Sequence, residues 1–236
     1  MGDIVIYPAG ALFNSRETYF NSRLVESLET IGYKTNFPQR DGFEFGRLTK
    51  ALSDKLPDEH ISLAVRNAIY FLDMGKFIPN SDVILANFDE PLDGGEVVET
   101  CYAKMMGKFV LGFRTDVRSP YGKTDDKYGG MHFFPAYQCQ KFIRHYIPSR
   151  TPEERESQFS SFVIKIDDAI QEAGIQHKDE LPDHALSNPH ITALLEGAEI
   201  LFKDIEDIHT EKGLELIASR YAENCEYLAG LALDEY

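Results

Sequence analysis

The chain has 236 residues, 43% of them apolar, with a formal net charge of −15 and three cysteines. This suits one medium domain with an appendage, or two small domains, and allows a sizeable core. The charge argues against a partner held through nucleic-acid phosphates or an anionic membrane surface. The scattered Cys101, Cys139 and Cys225 argue against a disulfide framework or a cysteine zinc site.

The opening MGDIVIYPAG lacks the basic region and long apolar run of a signal peptide. Gly2 is not followed by the Ser or Thr of a myristoylation motif. No apolar run approaches the roughly 20 residues that span a bilayer. A soluble cytoplasmic protein is therefore the expectation.

DIVIY (Asp3–Tyr7) is a β-branched run ended by PAG and reads as a strand buried on both faces. The next segment carries Phe20, Leu24, Leu28 and Ile31 at helical spacing, with Gly32 as its stop. KTNFP (Lys34–Pro38) reads as a second strand and QRDGFEFG (Gln39–Gly46) as a loop. DEHISLAVRNAIYFLDMGKFI is a helix with Ile61, Val65, Ile69 and Leu72 on one face. DVILANF (Asp82–Phe88) is a third strand, followed by the loop DEPLDGG and a helix, and KFVLGF (Lys108–Phe113) is a fourth. This β-α-β-α-β-α-β alternation predicts an α/β fold: a flavodoxin- or Rossmann-like parallel sheet with flanking helices. Ligands in such sheets bind beyond the carboxyl ends of the strands. The loops there are YPAGALFN, PQRDGFEFG, DEPLDGG and FRTDVRSPYG.

The remainder differs. KYGGMHFFPAYQCQKFIRHYI is mixed and aromatic. Thr151, Pro152 and Glu154 form a capping-box signature for a long helix, and two more helical segments follow. The organisation expected is an α/β domain over 1–125 and a helical extension over 126–236, packed on it or on a neighbouring subunit.

In the helix after DEPLDGG, Asp93 can be the N-cap, with Glu96 at N3 closing a capping box. Val98, Cys101, Tyr102 and Met105 are then the buried stripe. Glu99 lies one position round, in line with Ala103 and Met106, at partial burial near the sheet's carboxyl edge. The bland alternative is an exposed Glu99 paired with Lys104. Three features favour a functional role. Gly94 and Gly95 bare backbone N–H groups and let a ligand come close. Asp73 sits among aromatic and apolar residues near a helix C-terminus, where it opposes the macrodipole; it is otherwise a surface acid. Tyr7 ends strand one, either facing a ligand or buried in the core.

IYPAGALF, Asp73 in the second helix, SDVILANFD and LDGGEVVETCYA together resemble the nucleoside 2-deoxyribosyltransferases. Their pattern is a strand ending in Y/L-x-x-G-x-x-F, a central aspartate and D-x-G-x-x-x-E-x-x-x-A. The resemblance covers about residues 3–120. The family typically has Thr where this chain has Glu96, so sugar-side specificity stays open. The helical tail exceeds the family's compact members.

The resemblance implies base exchange on a 2-deoxyribonucleoside, through a covalent glycosyl-enzyme and with retention. Glu99 is the implied nucleophile at C1′ and Tyr7 the donor that orients it. Asp73 is implied to deliver or relay a proton to the departing base, which asks for a raised pKa. Asp93 would hold a sugar hydroxyl, the 3′-OH being favoured. Gly10 and Phe13 would shape the wall under the base, and Gly95 the floor. Gln39, Arg40 and Asp41 are candidates for reading the base edge, or bond within their own loop. Arg114 and Arg118 face the sugar's 5′ end or a phosphate, or form an Arg114–Asp116–Arg118 pair set.

The expected partners are a nucleoside or nucleotide and a free nucleobase, as in salvage, with a homo-oligomer assembled through a segment such as MHFFPAY. No cofactor or metal is expected: aspartates 41, 89, 93 and 116 lie on different loops without ligand spacing, and the histidines show no HExxH. Two rivals share the motif. One is a hydrolase in which water resolves the same intermediate; the other is a non-catalytic nucleoside sensor in which Glu99 is dispensable.

Overall fold

The computed structural model describes residues 4–148 and 150–233. Gly2, Asp3 and the last three residues of the final helical segment lie outside the described residues. The strands are β1 (Val5–Ala9), β2 (Lys34–Thr35), β3 (Val83–Asn87), β4 (Phe109–Arg114) and β5 (Lys141–Arg144). The helices are α1 (Ser15–Thr30), α2 (Pro38–Asp41), α3 (Phe45–Ser53), α4 (Asp58–Leu72), α5 (Gly94–Met105) and α6 (Phe133–Ala136). They continue with α7 (Pro152–Ala173), α8 (Asp183–Leu186), α9 (Pro189–Phe202), α10 (Glu211–Glu223) and α11 (Cys225–Leu233). A π-helical turn over Asp73–Phe77 prolongs α4. Among the described residues no helix is long and apolar enough to cross a membrane.

The chain forms two compact units, Met1–Asn36 with Ser81–Glu180, and Phe37–Asn80 with Leu181–Tyr236. The expected boundary at 125/126 falls inside the first of them. The first unit holds all five strands as one parallel sheet in the order β2-β1-β3-β4-β5. This is the flavodoxin-like order, as the alternation predicts. β5 is a correction to the all-helical reading of the tail. Its four residues, KFIR, are half-buried or exposed and alternate weakly, so no hydrophobic period announces them. They are specified by pairing instead, Leu111 opposite Lys141 through Arg114 opposite Arg144.

Side chains alternate across a strand, so each strand feeds two cores. Ile6, Val83, Leu85, Leu111 and Phe113 face one way and pack with Leu24 and Leu28 of α1 and with Phe159, Phe162, Val163, Ile166 and Ile170 of α7. Thr151 caps α7 by accepting from the Glu154 N–H at 3.1 Å, but the Glu154 carboxylate accepts from the Arg150 N–H rather than closing the box on Thr151. Gly174, at φ +63°, ends the helix in the left-handed conformation glycine tolerates. Tyr7, Ile84 and Val110 share one register row on the other face, and α5 packs there.

The second unit is all helical. It contains α3, which overlaps the stretch read as a loop only at Phe45 and Gly46, with Leu48, Ala51 and Leu52 buried. β2 ends early because Pro38 opens α2, where its fixed φ and missing N–H suit the first helical position. The buried face of α4 is Ala64, Asn67, Ala68, Phe71 and Leu72, while Ile61, Val65 and Ile69 are only half-buried. Helix packing selected the small residues over the branched ones. A Cβ on Gly197 would meet the Phe71 ring at 2.2 Å, and one on Gly75 would meet the Leu194 carbonyl oxygen at 2.2 Å. Asn67 Nδ2 donates to the Tyr221 hydroxyl at 2.9 Å inside this core. The last four helices therefore share a core with the segment between β2 and β3.

Gly75→Ala should lower stability by about 1–3 kcal/mol, because the obstructing atom is backbone and cannot swing aside. Chemical denaturation of the full chain checks this; an unchanged midpoint would show that α9 sits less close.

Candidate active site

β1 leaves the sheet at Gly10, where a Cβ would come within 3.2 Å of the Asn87 Cβ at the end of β3. The strand order reverses at β1, between β2 and β3, which is where open parallel sheets form a ligand crevice. Beyond Gly10, Asn21 Nδ2 donates to the Ala11 carbonyl at 3.1 Å and ties the turn down. Phe13 is 81% exposed, so no wall of this unit is built on it.

Tyr7 is buried on the α5 face, and its hydroxyl donates to Glu99 Oε1 at 3.0 Å. Glu99 is half-buried on α5. Asp93 caps that helix, its Oδ2 accepting from the Glu96 N–H at 3.0 Å. A Cβ on the exposed Gly95 would lie 3.0 Å from the same oxygen, so glycine keeps the cap open.

The rotation of α5 corrects the sequence reading. Val98 and Met105 are each 43% exposed and Cys101 and Tyr102 half-buried; the buried residues are Glu96, Thr100 and Ala103, with Met106 after the helix. The apolar pattern misled because the buried face carries a glutamate. Glu96 does not close a capping box. Its side chain is buried, and Oε1 has no hydrogen-bond partner among the described residues. Burial holds its pKa well above the ordinary 4.5, and the charges of Glu99, Asp93 and Asp89 push the same way. Burial and the neighbouring acids thus favour the protonated form of Glu96 beside the half-buried Glu99. Its i, i+3 spacing to Glu99 was the available signal.

Asp89, at the end of β3, binds the loop after β4. Its carboxylate accepts from the Thr115 N–H at 2.6 Å, the Thr115 hydroxyl at 2.5 Å and the Asp116 N–H at 2.9 Å. Burial raises its pKa and these bonds oppose the rise. Asp116 in turn accepts from the Glu90 N–H at 2.9 Å and from Arg114 Nη2 at 2.5 Å. Arg118 bonds the Glu90 carbonyl oxygen and lies 3.4 Å from Asp116. Arg114, Asp116 and Arg118 thus form the structural pair set, and Arg118 braces the loop that leads to Asp93.

The remaining candidates belong to the second unit. Asp73 opens the π-helical turn, a feature that often marks functional sites. Its carboxyl makes no hydrogen bond among the described residues, and burial raises its pKa to about 7. Gln39, Arg40 and Asp41 lie in α2 rather than a loop. Arg40 Nε and Nη2 donate to the two Asp41 oxygens at 2.7 and 3.0 Å, and Asp41 also accepts from the Phe37 N–H at 2.7 Å. No group of three or more His, Cys, Asp or Glu suited to a metal occurs among the described residues.

A folded-state pKa above the unfolded one means that the folded state holds more protons, so Glu96 costs stability as pH rises above about 4.5. Glu96→Gln should therefore gain stability relative to the parent between pH 4 and pH 8. Denaturant midpoints at the two values test this, and an unchanged difference would mean that Glu96 titrates normally.

The family model described as Nucleoside 2-deoxyribosyltransferase matches residues 6–160. Among solved structures, a conserved protein from Enterococcus faecalis V583 is 18% identical, with 67% of this chain and 98% of that one covered and a TM-score of 0.40. A 2-desoxiribosyltransferase from Leishmania mexicana is 19% identical, with 68% and 97% covered and a TM-score of 0.36. Neither likeness adds weight at these values, and no curated protein matches. The family match runs from β1 into α7 and takes in Tyr7, Asp73, Asp93 and Glu99, and on it the chain belongs to the nucleoside 2-deoxyribosyltransferase family.

Proposed function

We infer that the protein exchanges the base of a 2-deoxyribonucleoside, with Glu99 as the nucleophile. The observation that carries this reading is the Tyr7 hydroxyl donated to Glu99 Oε1 at 3.0 Å, which orients one carboxylate on a rigid helix at the switch point of the sheet. An anion so placed suits an oxocarbenium-like transition state. A Glu99 oxygen attacks C1′, the C1′–N bond breaks, and its electron pair leaves with the base, which takes up a proton. In the second step a nitrogen of the incoming base attacks C1′, loses its proton, and releases the carboxylate. Two inversions give retention.

The raised pKa of Glu96 supports the assignment, since a second charge one turn away would oppose an ionised nucleophile. Asp93 offers the sugar hydroxyl its Oδ1, which makes no hydrogen bond among the described residues, while Oδ2 holds the helix. Asp73 is the proton donor to the departing base. That role rests on the family motif and on a carboxyl whose pKa is raised to about 7. The substrates are a deoxyribonucleoside and a free base.

The test is to incubate the protein with deoxyinosine plus adenine and, separately, with deoxyinosine alone. Formation of deoxyadenosine is expected. Hypoxanthine release without exchange would make the protein an N-glycosidase. No turnover, with Glu99→Ala binding nucleoside as well as the parent does, would leave only a sensor.

Tyr7→Phe should lower kcat about 100-fold through misorientation of Glu99. For Asp73, activity in the parent should fall as pH rises through about 7, because the acid form is lost. Asp73→Asn should be slower and lack that limb. A pH–rate profile of both proteins reads this, and an unshifted limb in the variant would remove Asp73 from the role.

A further inference from the structure

Beyond the ends of β4 and β5 lies a cavity of about 320 Å³ that contains none of Tyr7, Asp93 or Glu99. Arg114, Arg144 and His145 line it, with Asp116, Thr124 and Gly129. Arg114 is 2% exposed and His145 8%. Arg114 Nη1 and Nη2 are bound to the Gly129 and Arg118 carbonyls and to Asp116, but its Nε has no partner among the described residues, and nor has His145 Nε2. Two buried nitrogens are thus left unmatched in one small cavity. A buried nitrogen without a partner is destabilising unless something fills the space.

Arg144 adds a third nitrogen group. Its Nη1 donates to the Asp126 carbonyl at 2.8 Å and Nη2 to the Thr124 carbonyl, and it makes no ion pair among the described residues. Gly129, at φ +66°, leaves room for it: a Cβ there would meet Arg144 Nε at 2.9 Å. The acid lining the cavity, Asp116, is already paired with Arg114 and Arg118. In a chain of net charge −15 this cavity keeps cationic character.

We propose that it binds the phosphate group of a small phosphate ester, held by Arg114, Arg144 and His145. Arg114 and Arg144 lie opposite each other in the β4–β5 register, and their guanidinium groups suit the several oxygens of a phosphate, with His145 beside them on the cavity lining. The volume is at the small end of ligand sites, which favours a compact ester. The phosphate is carried by a free sugar phosphate or by a nucleotide. The proposal does not depend on Glu99 being catalytic.

The test is calorimetric titration of the full chain at low ionic strength with inorganic phosphate, 2-deoxyribose 5-phosphate, deoxyinosine 5′-monophosphate and acetate. Saturable 1:1 binding of phosphate and at least one ester is expected, and none of acetate; the tighter ester identifies the carrier. Arg144→Gln, at an exposed position, should weaken phosphate binding about tenfold or more. His145→Phe, which keeps the ring contact with Phe162, should do likewise. Glu99→Gln should leave inorganic phosphate binding unchanged. Absence of saturable binding, equal binding by the parent and both cavity variants, or a clear change of phosphate affinity in Glu99→Gln would overturn the proposal. The last result, a tightening above all, would place the anion beside Glu99; the others would leave only water in the cavity.

Discussion

The candidate site depends on β1 lying beside β3. That pairing sets Tyr7 in the same row as Ile84 and turns its ring towards α5, where its hydroxyl meets a carboxylate 92 residues later in the chain. It also brings Gly10 against Asn87, so the two strand ends open together. Because β1 has β2 on its other side, the strand order reverses there, the place where open parallel sheets commonly bind ligands.

Around that crevice the chain concentrates acids and gives them different work. Asp89 holds backbone and hydroxyl donors, Asp93 starts a helix, and Glu96 is buried, which raises its pKa. Glu99 receives a phenol hydroxyl at partial burial. Environment, rather than residue type, separates four carboxyls into a clamp, a cap, a buried neighbour and an oriented carboxylate. Beyond β4 and β5 the electrostatics reverse, with buried nitrogen groups lacking partners and the one lining acid already paired.

Much of this was readable in the sequence. Short β-branched runs separated by helical periods identified four of the five strands and the α/β class, because parallel strands buried on both faces leave continuous apolar runs. The Asp93–Glu99 spacing and the tyrosine closing the run DIVIY marked the candidate residues. Three features were not readable. β5 lacks a hydrophobic period, since it lies at the sheet edge. The phase of α5 was misjudged because a glutamate occupies its buried face. The third is that Arg40 and Asp41 stand in a short helix, where they bond each other.

By itself, the sequence determined what local patterns determine: which segments form strands and helices, where the glycines and caps stand, and that an acid follows a Gly-Gly turn by a short fixed spacing. The tertiary structure decided which face of α5 is buried, which acid has its pKa raised by burial, which arginines are paired, and that the last four helices share a core with the segment between β2 and β3. The physical reason is that burial, desolvation and long-range pairing depend on neighbours distant along the chain, and no local period encodes them.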